Sequence, residues 1–214
     1  MFLSYLIPQF IANFSSPYNK HIAVYEEHGE MKLLVNGSPQ SGRYIRALWK
    51  EALKKFHHTL PLNHILVLGL GGGTVINLLH GANPEALITA VDIDKVIIDI
   101  AKKYFKVDEM KEVSIIHEDA KRWITENQKN KYDCIVIDLF SGRHIPDFVT
   151  EEEFICSVTN MLTPSGCLYI NYLQENEYEQ LSEIVRKRIE KQFVVVKDCR
   201  THYNRFFYAA QRKH

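Results

Sequence analysis

Several absences frame this 214-residue sequence. Net charge is absent: 26 Lys and Arg stand against 26 Asp and Glu. A chain whose main partner is bulk nucleic acid carries a basic excess, so that class is excluded. An acidic, disordered tail is excluded by the same balance. Cysteine is scarce, with four residues at Cys134, Cys156, Cys167 and Cys199. They form no C-x-x-C pair and no His/Cys zinc spacing, so neither a disulfide framework nor a metal site is expected. A reducing, cytoplasmic setting fits that usage. Long apolar runs are also missing. Residues 1–8 are apolar but short, carry no basic residue ahead of the apolar part, and are followed by further breaks at Gln9 and Asn13. Neither a membrane span nor a signal peptide is expected there. The segment reads as a short helix or arm packed on a neighbouring surface, or as a dimer or membrane contact. Internal repeats and low-complexity tracts are absent too.

What is present is ordinary globular composition, 46% hydrophobic and 24% charged. A chain of this size buries roughly 70% of its extended surface and needs no staple. Residues 21–26 and 32–35 read as strands joined by a turn at His28-Gly29-Glu30, with a second turn at Asn36-Gly37. Residues 43–56 read as a helix, with Tyr44, Leu48, Ala52 and Phe56 at four-residue spacing. From residue 64 the pattern alternates. Strands are expected at 65–68, 86–91, 113–117, 134–137 and 167–172, and helices at 75–80, 95–105, 120–127 and 151–162. Continuous Val/Ile/Leu runs alternating with helices mark a parallel sheet covered on both faces. A helix at 177–191 and strands at 193–197 and 206–210 close the chain as an antiparallel hairpin. The expected fold is therefore α/β, a doubly wound and mostly parallel seven-stranded sheet of the class I methyltransferase, Rossmann-like plan. A small N-terminal β-hairpin extension precedes it. Residues 1–60 would form the arm, hairpin and linking helix, and residues 61–214 the nucleoside-binding domain.

Four signals carry chemistry. Leu66-Val67-Leu68-Gly69-Leu70-Gly71-Gly72-Gly73-Thr74 runs a strand into a glycine cluster that opens a helix. Glycines allow close backbone approach to a ligand. Gly69, Gly71 and Gly73 fit G-x-G-x-G; the dinucleotide pattern would need glycine at 74, so a nucleoside without a pyrophosphate suits the loop. Asp92, at the end of the second strand of the alternating region, can accept both ribose hydroxyls. Asp94 reads as the cap of the next helix. Asp119 can accept the exocyclic amino group of adenine, cap the following helix, or both. Asp138 ends a central apolar strand; its apolar flanks should raise its pKa and favour proton acceptance. His57, His58 and His144 are weaker candidates. Glu151-Glu152-Glu153 complements a helix dipole, and Arg43, Arg46 and Lys50 read as a solvated helix face.

Taken in order, these residues resemble the spermidine synthase (polyamine aminopropyltransferase) family and its spermidine-synthase-like relatives. Ser16-Pro17-Tyr18-Asn19, Val35-Asn36-Gly37-Ser38-Pro39-Gln40-Ser41-Gly42, the glycine loop, Val91-Asp92-Ile93-Asp94, Glu118-Asp119-Ala120, Tyr132 to Asp138 and Leu162-Thr163-Pro164-Ser165-Gly166 carry the likeness. The resemblance implies that Gly69, Gly71 and Gly73 approach a sulfonium nucleoside, that Asp92 holds its ribose and Asp119 its adenine, and that Gln40 reaches the same pocket. It implies Asp138 as the catalytic aspartate and Tyr44 as a tyrosine orienting an amine. It also implies a homodimer. Family enzymes carry an aspartate in the glycine loop and a second acid three residues after the catalytic one. Here the loop has no carboxylate and that position is Ser141, and the acids between Gln40 and Tyr44 are missing. A polyamine needs an anion for each buried ammonium, so the acceptor site departs from the family. The expectation is a transferase that uses S-adenosylmethionine or its decarboxylated form, with methyl transfer favoured and no metal. The acceptor is a small molecule, without nucleic acid or membrane. An aminopropyltransferase with an altered amine site comes second, and a non-catalytic nucleoside-binding or oligomerisation protein third.

Overall fold

A computed structural model describes residues 3–56, 58–201 and 203–213. The hydrophobic alternation within each strand decides the architecture. In β5 (His64–Leu68), Ile65 and Val67 point to one face of the sheet and Leu66 and Leu68 to the other. All four are fully buried, as a strand covered on both sides requires. The same alternation sorts Cys134 and Val136 from Ile135 and Ile137 in β8 (Tyr132–Ile137), and Cys167 and Tyr169 from Leu168 and Ile170 in β9 (Leu162–Leu173).

With β6 (Leu87–Asp92), β7 (Val113–His117), β10 (Phe193–Arg200) and β11 (Asn204–Arg212), these strands form one seven-stranded sheet. Its order is β10-β11-β9-β8-β5-β6-β7. Neighbours among β5 to β9 run parallel, while β11 is antiparallel to both β9 and β10. This is the expected doubly wound plan with a closing hairpin. One face is covered by α1 (Arg43–Lys55), α2 (Thr74–Ala82) and α3 (Lys95–Phe105), through Trp49, Val75 and Ile98. The other is covered by α4 (Ala120–Glu126), α5 (Glu152–Asn160) and α6 (Glu177–Gln192), through Ile124, Phe154 and Val185.

Two expectations need correction. The N-terminal extension contains the expected hairpin, β2 (Ile22–Glu27) and β3 (Glu30–Val35), within a larger four-stranded antiparallel sheet that adds β1 (Gln9–Phe14) before it and the short β4 (Ser38–Pro39) after it. Sequence reading misses β1 because its register slips between Phe10 and Ala12, which breaks the period of two. The N-terminal arm is accordingly a short 3-10 turn at Leu3–Tyr5 followed by this edge strand; Met1 and Phe2 lie outside the described residues. The inner face of β2 and β3 packs Ile22, Val24, Leu33 and Val35 onto Ile97 and Ile100 of α3. Second, α5 ends at Asn160 and β9 already starts at Leu162. Leu162 pairs Tyr132 and Cys167 pairs Cys134, so the turn around Pro164-Ser165-Gly166 bulges out within the strand. No described helix is long and apolar enough to cross a membrane.

Candidate functional site

The carboxyl ends of β5, β6, β7 and β8 converge on the glycine loop. Gly69 leaves β5 at φ +96°, and a Cβ there would lie 2.1 Å from the Asp138 carbonyl oxygen. Only glycine lets the β5 and β8 ends cross this closely. Gly71, at φ +51°, lines a cavity of about 380 Å³. Gly73 turns the chain into α2.

Asp92, Asp119 and Asp138 line the same cavity, and Tyr18, Asn19 and Gln40 reach it from the N-terminal sheet. Asp92 accepts the Leu70 N–H at 2.8 Å and the Asp94 N–H at 2.9 Å. Burial raises its pKa; those backbone donors pull the other way. Asp119 caps α4 by accepting the Arg122 N–H at 2.9 Å and still borders the cavity. Asp94 caps α3 through the Val96 N–H and accepts Ser16 Oγ and Asn19 Nδ2 on its second oxygen. Asn19 in turn accepts Ser141 Oγ at 2.9 Å, and Gln40 Nε2 donates to the Gly142 carbonyl at 2.7 Å. The N-terminal sheet is thereby fastened over the loop that follows β8.

A second cavity of about 150 Å³ adjoins the first. Gln40, Asp138 and Phe140 line both. Tyr44, Arg143, Asn171, Tyr203 and Asn204 line only the second. Asp138 therefore stands on the shared wall. Its Oδ2 accepts Trp49 Nε1–H at 3.1 Å and its Oδ1 accepts Asn171 Nδ2 at 2.8 Å. Asn171 Oδ1 accepts Asn204 Nδ2 at 2.9 Å. Burial pushes the Asp138 carboxyl up to about 6, against the lowering effect of both donors. Tyr44 is 43% exposed at the mouth, and desolvation raises its hydroxyl pKa.

All eight expected site residues except Tyr44 and Gly73 line the larger cavity; Tyr44 lines the smaller one. Of the described histidine candidates, His144 joins them and His58 does not. His144 lines the larger cavity and approaches Tyr178, whereas His58 contacts Tyr208 at 3.0 Å, on the face of the sheet that α1 covers. His57 lies outside the described residues. Sequence reasoning missed Trp49, Arg143, Asn171 and Asn204. Asn171 carried a signal, as a lone amide in an otherwise apolar central strand.

Residues 51–205 match the model of the Spermine/spermidine synthase domain. A polyamine aminopropyltransferase of Vibrio vulnificus is 35% identical over 109 residues, covering 50% of this chain and 36% of that protein. An eEF1A lysine and N-terminal methyltransferase homolog of Drosophila melanogaster is 34% identical over 121 residues, 53% of this chain and 18% of that protein. The chain thus spans 36% or less of these curated relatives. A probable spermidine synthase structure from Corynebacterium glutamicum superposes with a TM-score of 0.78 at 18% identity, covering 95% of this chain and 81% of that one. That likeness extends through the N-terminal sheet as well as the seven-stranded one. With the family match running from α1 to β11, the chain belongs to the spermine/spermidine synthase family.

Proposed function

We propose that this chain is a transferase. It binds a sulfonium nucleoside, S-adenosylmethionine or its decarboxylated form, in the larger cavity and passes an alkyl group to a nucleophile in the smaller one. The observation that carries this reading is the place of Asp138, a half-buried carboxylate on the wall the two cavities share. Gly71 leaves room for the nucleoside, Asp92 faces its ribose and Asp119 its base, and Gln40 closes the pocket from above. Such chemistry asks little beyond holding donor carbon and nucleophile in line, and positioning supplies much of the acceleration. Asp138 takes the proton the nucleophile gives up; with its pKa near 6, the carboxylate form dominates at neutral pH.

Methyl transfer is favoured over aminopropyl transfer. The loop Gly69-Leu70-Gly71-Gly72-Gly73 offers no carboxylate for the amino end of a decarboxylated donor, and suits a donor that keeps its own carboxylate. The methyltransferase name of the fly relative agrees with this, while the name of the Vibrio relative favours the aminopropyl alternative. Titration calorimetry separates them. Tighter binding of S-adenosylmethionine than of its decarboxylated form is the expected order. The reverse order establishes the aminopropyl reading, and binding of NAD alone sinks both.

A further inference from the structure

We propose that the acceptor is zwitterionic: an amine that meets Asp138, joined by a short spacer to a carboxylate that meets Arg143. This rests on the alkyl-transfer reading above. The charged lining of the smaller cavity, among the described residues, is one acid and one base, Asp138 and Arg143. A di- or triamine would bring two or three ammonium groups to a single carboxylate and press one of them against a guanidinium. An ammonium left unpaired in a partly enclosed cavity is strongly disfavoured.

Glu175 meets Arg143 from outside this lining, and the remaining polar groups of the lining are neutral. Gln40, Asn171 and Asn204 are neutral amides already tied to Gly142, Asp138 and one another. Arg143 is held in place from two sides. Its guanidinium lies 5.3 Å from the Tyr203 ring centroid, and one of its nitrogens pairs with Glu175. A guanidinium carries five N–H donors in a planar fork, so a carboxylate from the ligand can share it with Glu175. The amine end is set by chemistry as well as charge. Asp138 borders the donor cavity, and Arg143 does not. The nucleophile therefore belongs at Asp138 and the anion at the far end.

The step balances. The acceptor ammonium gives one proton to the Asp138 carboxylate, and the freed nitrogen lone pair attacks the donor carbon next to the sulfonium. The carbon–sulfur bond breaks with its electrons going to sulfur. A neutral thioether nucleoside and an alkylated ammonium remain.

The test is calorimetry on the full chain saturated with S-adenosylhomocysteine or methylthioadenosine, whichever binds. β-Alanine, 4-aminobutyrate and 5-aminovalerate are titrated against 1,3-diaminopropane, putrescine and cadaverine. At least one amino acid is expected to bind about tenfold or more tightly than its matched diamine, the size of a charge-assisted hydrogen bond. Arg143→Gln should erase that preference by weakening the amino acid and strengthening the diamine. Glu175→Gln, which frees the guanidinium, should strengthen the amino acid. Retained nucleoside binding shows that each variant is folded. Tighter diamines, equal affinities, or a preference that survives Arg143→Gln overturns the proposal. Nucleoside binding with neither series bound overturns it while the alkyl-transfer reading stands; failure of both nucleosides removes that reading and the proposal with it.

Discussion

Replacing Asp138 with asparagine should make the protein more stable and far less active. Burial holds this carboxyl at about 6, from an ordinary 3.8. Two units correspond to about 3 kcal/mol. The folded pKa is the higher one, so the folded chain binds the proton more tightly and the ionised group costs stability. That cost is small below pH 4, grows as pH rises from about 4 to about 6, and is complete above. Asparagine carries no charge and escapes it. Against this, Trp49 and Asn171 both donate to Asp138, and an amide presents only one oxygen. Asn171 cannot reverse its amide without losing the Asn204 donor. One facing pair of donors therefore costs about 1–3 kcal/mol. The difference leaves Asp138→Asn more stable by about 1 kcal/mol at pH 8, or roughly 2–4 °C at this chain length. The advantage should shrink towards pH 5. Turnover should fall by about 10²–10⁴, the usual worth of a positioned base. Scanning calorimetry of both proteins at pH 5 and 8, beside a pH–rate profile, reads all three effects. A melting difference independent of pH, with wild-type turnover flat through pH 6, refutes the reasoning.

Trp49→Phe keeps the aromatic edge packed on Phe206, 5.0 Å away between ring centroids, and removes one donor to Asp138. That hydrogen bond lowers the carboxyl pKa, so the acid limb of the rate profile should move to higher pH; an unmoved limb contradicts the assignment. Gly69→Ala would set a Cβ 2.1 Å from the Asp138 carbonyl oxygen at φ +96°. It should cost at least ~1–3 kcal/mol in a thermal melt and abolish nucleoside binding; unchanged calorimetric affinity would show that the crossing is not needed.

The parts of this fold that can be read from sequence are those with a local period. Fully apolar strands such as Ile65–Leu68 in β5, ended by glycine, announce a buried parallel sheet before any contact is known. The acids at the strand ends follow from that register, which is why Asp92, Asp119 and Asp138 are all found. Strand β1 is hidden because its bulge and its exposed Phe10 and Ile11 erase the alternation. The smaller cavity is hidden for another reason. Trp49 meets Asp138 across 89 positions, and Asn171 meets it across 33. No window along the chain contains both partners, and Arg143 sits in a loop whose composition says nothing of the aromatic ring it covers. The strand-end acids of the larger cavity are legible; the smaller cavity, assembled from four separate stretches, is not.

The hydrogen bonds around Asp138 also govern where its proton can go. Indole N–H and amide N–H groups donate but do not take up a proton near neutral pH. The line from Asn204 through Asn171 to Asp138 points all its hydrogens one way. The carboxyl group is therefore insulated on its protein side. A proton collected there can return to water only through one of the two cavities, once that cavity has been vacated. In the proposed reaction, release of the product and recovery of the base would then be a single event, with the site resetting only as it empties.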